Sequence, residues 1–349
     1  MIRSIVKTAL LPVIVCTANV QHADAENGVD DLQACMAQAL YTASDSTTVG
    51  QLRQQCERQL VVQDQLHISP GQVNTALKRR IAHEQSASDN PFALIAHRPT
   101  YFLTGVYNGG IEDSVNTQEG ELDNIEAQFQ MSFKIPLYRG LFREIPVLKD
   151  VFGENGNLSF AYTNRSFWQV YNSELSAPFR ETNHEPEMIL SFFNDWQWGE
   201  LRNVSNQLVF NHQSNGRNVP FSRSWNRVMM DFIFEYGDNF AFSLKPWYRL
   251  PEPLKMDPLE TTGDDNPDIT RFLGHFEWQG VYDRNGHSVS LMIRDPITAE
   301  GAYELGWSFP INDRLQGYLK YFNGYGESLI DYNVKHETIG IGFQLTDWL

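Results

Sequence analysis

Residues 125–137, IEAQFQMSFKIPL, decide the fold. Ile125, Ala127, Phe129, Met131, Phe133, Ile135 and Leu137 are apolar, while Glu126, Gln128, Gln130, Ser132 and Lys134 between them are polar. A helix brings residues three and four apart onto one face and cannot segregate this pattern. A strand, whose side chains alternate between two faces, separates it into one dry and one wet side. The run is also longer than a strand of an ordinary globular sheet needs, and long enough for a tilted crossing of a hydrocarbon layer.

Similar runs occur at 99–108, 158–170, 187–198, 201–212, 225–236, 239–249, 271–282, 287–295, 301–309, 314–323 and 336–346. With 125–137 they make twelve strands, an even number. Short connectors with turn chemistry (Gly199-Glu200, Gly237-Asp238, Arg284-Asn285-Gly286, Ile311-Asn312-Asp313) alternate with longer polar ones at 109–124, 171–186, 213–224, 250–270 and 324–335. The connector 138–157 is longer than this scheme asks. Trp168, Trp196, Trp198, Trp225, Trp247, Tyr248 and Trp278 stand near strand ends, where aromatic girdles would sit at two interfaces. The expectation is a twelve-stranded antiparallel transmembrane β-barrel with a short α-helical N-terminal extension. A soluble β-sandwich explains the alternation but neither the strand number nor the aromatics. Mean hydropathy of −0.39 does not oppose a barrel, because the alternating faces average out. A net charge of −16 argues against a nucleic-acid partner.

Ahead of the barrel, residues 1–25 read as a signal peptide: Arg3 and Lys7, then apolar ALLPVIVC at 9–16, then Ala23-Asp24-Ala25. Residues 26–90 read as a periplasmic helical extension and linker, with helical spacing at 30–41 and 49–62 and a further short helix at 71–83. Cys35 and Cys56, the two cysteines left after export, read as a disulfide. Residues 91–349 form the barrel domain.

The chemistry gathers in 208–227, LVFNHQSNGRNVPFSRSWNR. His212 and Ser214 share the phase of Leu208 and Phe210. Asn226 shares the phase of Val228, Met230, Phe232 and Phe234. Two antiparallel strands would place His212, Ser214 and Asn226 together on the dry face, as base, nucleophile and orienter. A lone H-x-S is ordinarily a strand-end histidine and a turn serine; the shared phase with Asn226 raises it above that. The register puts the trio on the outer wall near the outer boundary, beside lipid.

NHQSNGR (211–217) with SRSWNR (222–227), SAPFRETNHEP (176–186), KPWY (245–248), DDNPDIT (264–270) and GYGESLIDYN (324–333) resemble the outer membrane phospholipase A family, from about residue 91 to the C-terminus. That family is a twelve-stranded outer-membrane barrel acting as a homodimer. It hydrolyses sn-1 and sn-2 acyl esters of phospholipids and lysophospholipids with calcium. The resemblance implies Ser214 as nucleophile, His212 as base, Asn226 as orienter, and backbone N–H groups from Ser214 to Gly216 as oxyanion hole. It implies calcium ligands at Ser176 of one subunit with Arg217, through its carbonyl, and Ser222 of the other. It implies Asp265 at a second calcium position. Val219 stands where the family can place an aspartate, Asn164 where a glutamine joins the dimer contact, and Gln213 where an aspartate precedes the serine. The competing reading is a non-catalytic porin-like or adhesin barrel. His184 reads as a surface contact of the 176–186 loop, and Lys134 and Glu126 as parts of an interior charge network.

Overall fold

A computed structural model describes residues 35–36, 48–53, 56, 77 and 93–346, except 117–119, 148, 150–154, 176–178, 195, 258, 298–299 and 313–314. The expected signal peptide, most of the 26–90 extension and Ser176 lie outside the described residues. The chain divides into two compact units, Met1–Val61 and Val62–Leu349.

In the first unit Cys35 and Cys56 form a disulfide with a Cα–Cα distance of 5.8 Å. Thr48 opens a helical stretch with a capping box. Its Oγ1 accepts from the Gln51 N–H at 3.3 Å, and Gln51 Oε1 accepts from the Thr48 N–H at 2.9 Å.

In the second unit the twelve long strands are β1 (Thr100–Asn108), β2 (Ile125–Tyr138), β3 (Asn157–Trp168), β4 (Phe179–Phe193), β5 (Leu201–Ser214) and β6 (Ser224–Tyr236), followed by β7 (Phe240–Arg249), β8 (Phe276–Arg284), β9 (His287–Arg294), β10 (Ala302–Asn312), β11 (Leu315–Tyr325) and β12 (Lys335–Thr346). Each pairs antiparallel with the next, and β12 returns to pair with β1, so the sheet closes on itself. Closure leaves no row of unpaired backbone groups, the condition for a sheet to cross lipid. Two-residue strands, Ile95–Ala96 and Gln197–Trp198, add to β2 and β5.

The alternation in β2 is resolved as expected. Glu126, Gln128, Gln130, Ser132 and Lys134 are buried and point inward, while Ile125 and Met131 are exposed on the outside. Met131, Phe210, Ile339 and Ile341 are each more than half exposed on this outer wall. An apolar belt of that extent marks contact with lipid.

Three expectations need correction. β4 begins at Phe179, not 187, so FRETNHEP is strand and the preceding loop is short. Residues 271–273 of the expected 271–282 strand belong instead to a helical turn, α1 (Ile269–Leu273), and β8 starts at Phe276. Trp225 and Trp247 are also not girdle residues. Both are buried inside the barrel, where the Arg227 guanidinium lies 4.0 Å from the Trp225 ring centre and 5.4 Å from that of Trp247.

The interior is filled rather than open. At one end Trp225, Met229, Trp247, Ile269, Leu273, Leu329 and Tyr332 form an apolar cluster. It is capped by loop 326–334, whose residues Glu327 to Asp331 are buried. Arg180 is clamped between Glu126 at 2.8 Å and Asp331 at 2.6 Å. Deeper in, Arg98 bridges Glu185 and Glu187, and Arg227 also pairs with Glu185. These groups line a cavity of about 220 Å³. Charges of opposite sign in contact satisfy the desolvated interior, and they block the wide aqueous path that a porin needs.

Candidate active site

The pairing of β5 with β6 sets His212 opposite Asn226 and Ser214 opposite Ser224. On these strands Asn211, Trp225, Arg227 and Met229 are buried inward, so His212, Ser214 and Asn226 share the outer wall. His212 Nδ1 and Asn226 Oδ1 are 2.8 Å apart. The amide oxygen can only accept, so Nδ1 carries the hydrogen and Nε2 is left as the basic nitrogen. Ser214 follows two residues on along the same face. Its hydroxyl makes no hydrogen bond to His212 among the described residues, and in resting active sites that contact is commonly long until substrate closes it.

Beyond Ser214 the chain turns through 215–223. Asn215, buried and adjacent to the serine, holds that turn. Its N–H donates to the Arg223 carbonyl at 3.1 Å, its Nδ2 to the Phe221 carbonyl at 2.9 Å, and its Oδ1 accepts from the Arg223 N–H at 2.9 Å. The Asn215 N–H is thereby engaged. The Gly216 N–H has no partner among the described residues, which makes it the available donor for an oxyanion. Gly216 adopts φ +64°, and a Cβ there would meet the His184 ring at 3.7 Å.

His184, expected in a loop, sits on β4 directly opposite Ser214. Its Nδ1 is 2.6 Å from Tyr162 Oη and 3.5 Å from Asn164 Nδ2. Asn164, on the same outer wall, also accepts from Ser166 at 3.1 Å. The nearness of His184 to the serine could have been read from the sequence only by continuing the β4 alternation upstream of Glu187. Gln213 points inward and accepts from Trp225 Nε1 at 2.8 Å.

The implied calcium ligands divide. Ser222 Oγ donates to Asp265 Oδ2 at 2.6 Å, and the other oxygen of Asp265 faces the Lys255 ammonium. Both carboxylate oxygens are engaged, and the positive charge beside them belongs to the chain itself. Among the described residues no three His, Cys, Asp or Glu side chains gather as a metal cluster. As arranged here, Asp265 is held by Ser222 and Lys255, and calcium at this position would have to compete with the Lys255 ammonium. The Arg217 carbonyl and the Ser222 hydroxyl are hard oxygen donors of the kind calcium takes, and both lie in the 215–223 turn. The Arg217 guanidinium is anchored to Glu181 at 3.1 Å, which fixes its backbone near β4.

Comparison with known proteins gives one consistent answer. The family model for phospholipase A1 matches residues 77–345. The phospholipase A1 of Klebsiella pneumoniae is 36% identical over 273 residues, covering 76% of this chain and 87% of the relative. A calcium-bound dimer of Salmonella typhi outer membrane phospholipase superposes with TM-score 0.62 at 32% identity, over 74% of this chain and 94% of that one. An active-site mutant of the Escherichia coli outer membrane phospholipase A, with an asparagine changed to alanine, superposes with TM-score 0.63 at 34% identity, over 75% and 95%. A closed barrel with an apolar outer wall and these relatives is a protein of the outer membrane. Since the match runs from the first described residue of the barrel unit almost to the end of its last strand, the chain belongs to the phospholipase A1 family.

Proposed function

We propose that this protein is a calcium-dependent serine hydrolase, active as a homodimer, that cleaves sn-1 and sn-2 acyl esters of phospholipids and lysophospholipids. The observation that carries this reading is the 2.8 Å contact of His212 Nδ1 with Asn226 Oδ1, on the lipid side of the wall, with Ser214 next on the same face. A catalytic group in that place meets the ester carbonyls of neighbouring lipids without extracting them from the membrane.

His212 Nε2 takes the Ser214 proton as Oγ attacks the ester carbonyl. The Gly216 N–H stabilises the oxyanion. His212 then returns the proton to the departing glycerol oxygen, leaving an acyl-serine. Water, deprotonated by the same nitrogen, releases the fatty acid. Calcium held by the Arg217 carbonyl, the Ser222 hydroxyl and Ser176 of a second copy would supply positive charge toward the oxyanion. Asn226 orients the imidazole but, being neutral, stabilises imidazolium less than a carboxylate does. The solved dimer with calcium and the asparagine active-site mutant among the relatives support this assignment.

The test is covalent labelling of the folded full-length protein with a serine-directed sulfonyl fluoride, with mass spectrometry of the adduct. The expected result is one adduct on Ser214 that abolishes lipid hydrolysis. A Ser214→Ala protein that still hydrolyses phospholipid overturns the reading.

A further inference from the structure

Loop 250–264, which follows β7, reaches the triad from behind. The Leu250 N–H donates to the backbone carbonyl of Asn226 at 2.8 Å, and Asn226 Nδ2 donates to Glu252 Oε1 at 3.0 Å. Glu252 lies between Pro251 and Pro253. Proline fixes its own φ and holds the residue before it extended, so the carboxylate is presented by a stiff segment. The segment is tied down further by the Asp264 N–H on the Pro253 carbonyl at 2.8 Å and by Arg249 on Asp264 at 2.6 Å. Among the described residues Glu252 has no ion-pair partner, and its side-chain contact is the Asn226 amide.

We propose that Glu252 is a positioning residue of the catalytic chain, which sets the direction of the hydrogen bonds from Asn226 to Ser214. This rests on the Ser214–His212–Asn226 reading. The reasoning is one of donor and acceptor types. An amide is nearly symmetric in shape and can turn over. A carboxylate accepts only, so the end of Asn226 that faces Glu252 must be its NH₂ and the end that faces His212 must be its oxygen. The oxygen demands a hydrogen on Nδ1, and Nε2 is then bare toward the serine. With the amide reversed, its NH₂ would face Nδ1, the hydrogen would move to Nε2, and the base would be lost. The negative charge on Glu252 also polarises the amide toward a more negative Oδ1, which returns to imidazolium part of the support a neutral asparagine lacks.

The test uses the full chain in mixed micelles with calcium. Folding is checked by the mobility of the unheated protein on a gel. Glu252→Gln leaves shape and size in place but accepts or donates equally well, so it no longer dictates direction. Expected is a kcat lower by about tenfold with KM unchanged, since Glu252 touches Asn226 rather than substrate. Asn226→Asp sets two carboxylates in contact and should be poor. The double variant Asn226→Asp with Glu252→Gln rebuilds the same direction with donor and acceptor exchanged, and should exceed Asn226→Asp alone by about tenfold. Wild-type kcat in Glu252→Gln, a change confined to KM, or a double variant no better than Asn226→Asp would each overturn the proposal. Should Ser214→Ala and Asn226→Ala keep activity, the triad itself fails. Should they abolish it while Glu252→Gln is normal, only the role of Glu252 fails.

Discussion

At the scale of single residues the site is a problem in proton direction. His212 has two nitrogens, and the amide oxygen 2.8 Å from Nδ1 decides which of them is basic. Asn226→Ala removes that decision and should lower kcat about a hundredfold or more, read from fatty-acid release under saturating calcium, with the fold intact. Gly216 has a different constraint. At φ +64° a side chain adds about 1–2 kcal/mol of backbone strain, although its Cβ would meet His184 only at ordinary contact distance. The strain at this φ should displace the oxyanion donor in Gly216→Ala and lower kcat about a hundredfold, the effect of losing one such N–H. A normal kcat for that variant would remove Gly216 from the oxyanion hole. The phases of His212, Ser214 and Asn226 were all legible in the sequence, because the hairpin alternates without interruption from Leu208 to Ser214 and from Ser224 to Phe234, the register shift lying further down at Asn203–Ser205. Glu252 was not, because a side chain on a loop carries no periodicity to place it.

Elements show where alternation stops being informative. β4 was placed eight residues too late, since its upper half has no apolar outer face: Thr182, His184 and Pro186 point outward there, while Glu181, Asn183, Glu185 and Glu187 point inward. At the polar edge of the outer wall an outward side chain gains little by being apolar, so the period-two signal fades although the strand continues. Trp225 and Trp247 mislead in the opposite way. They look like interface aromatics by position, yet each lies in the inward phase of its strand, alongside Arg227 and Ser243 respectively. Loop 250–264 brings the Lys255 ammonium to Asp265 and neutralises a carboxylate that touches Ser222. Lys255→Met would leave that charge uncompensated beside the proposed ligands. Calcium should then bind about tenfold more tightly, measured by calorimetry or by the calcium-induced rise in unfolding temperature. Unchanged or weaker binding would show that Lys255 has no part in setting calcium affinity.

For the whole molecule, the filled interior gives rigidity to a wall that must hold three side chains in register. Asp331, buried in loop 326–334, ties that loop to β4 through Arg180 and to the chain before β2 through the Val115 N–H at 2.8 Å. Burial alone would raise its carboxyl, but His336 and Arg180 outweigh this and hold it below the ordinary aspartate range. The folded state thus binds that proton more weakly than the unfolded chain. Its contribution is in place above the ordinary aspartate pKa and is lost as pH falls through the lower folded value. Asp331→Asn leaves Arg180 half-paired in a desolvated site and should cost about 3 kcal/mol or more. The readout is a lower temperature at which the barrel loses its compact mobility on a gel, at neutral pH. An unchanged transition would mean that the Arg180 clamp contributes little. This loop and the cluster around Trp225 fill that end of the interior, and the proposed chemistry lies on the outer wall. Cleavage of lipid esters by a serine on this wall is the step on which the proposed function turns. Its most direct test is fatty-acid release from phospholipid vesicles holding the full-length protein with calcium, compared with Ser214→Ala at equal density. Release by the wild type and a loss of at least a thousandfold in the variant are expected, and equal release by the two would contradict a catalytic Ser214.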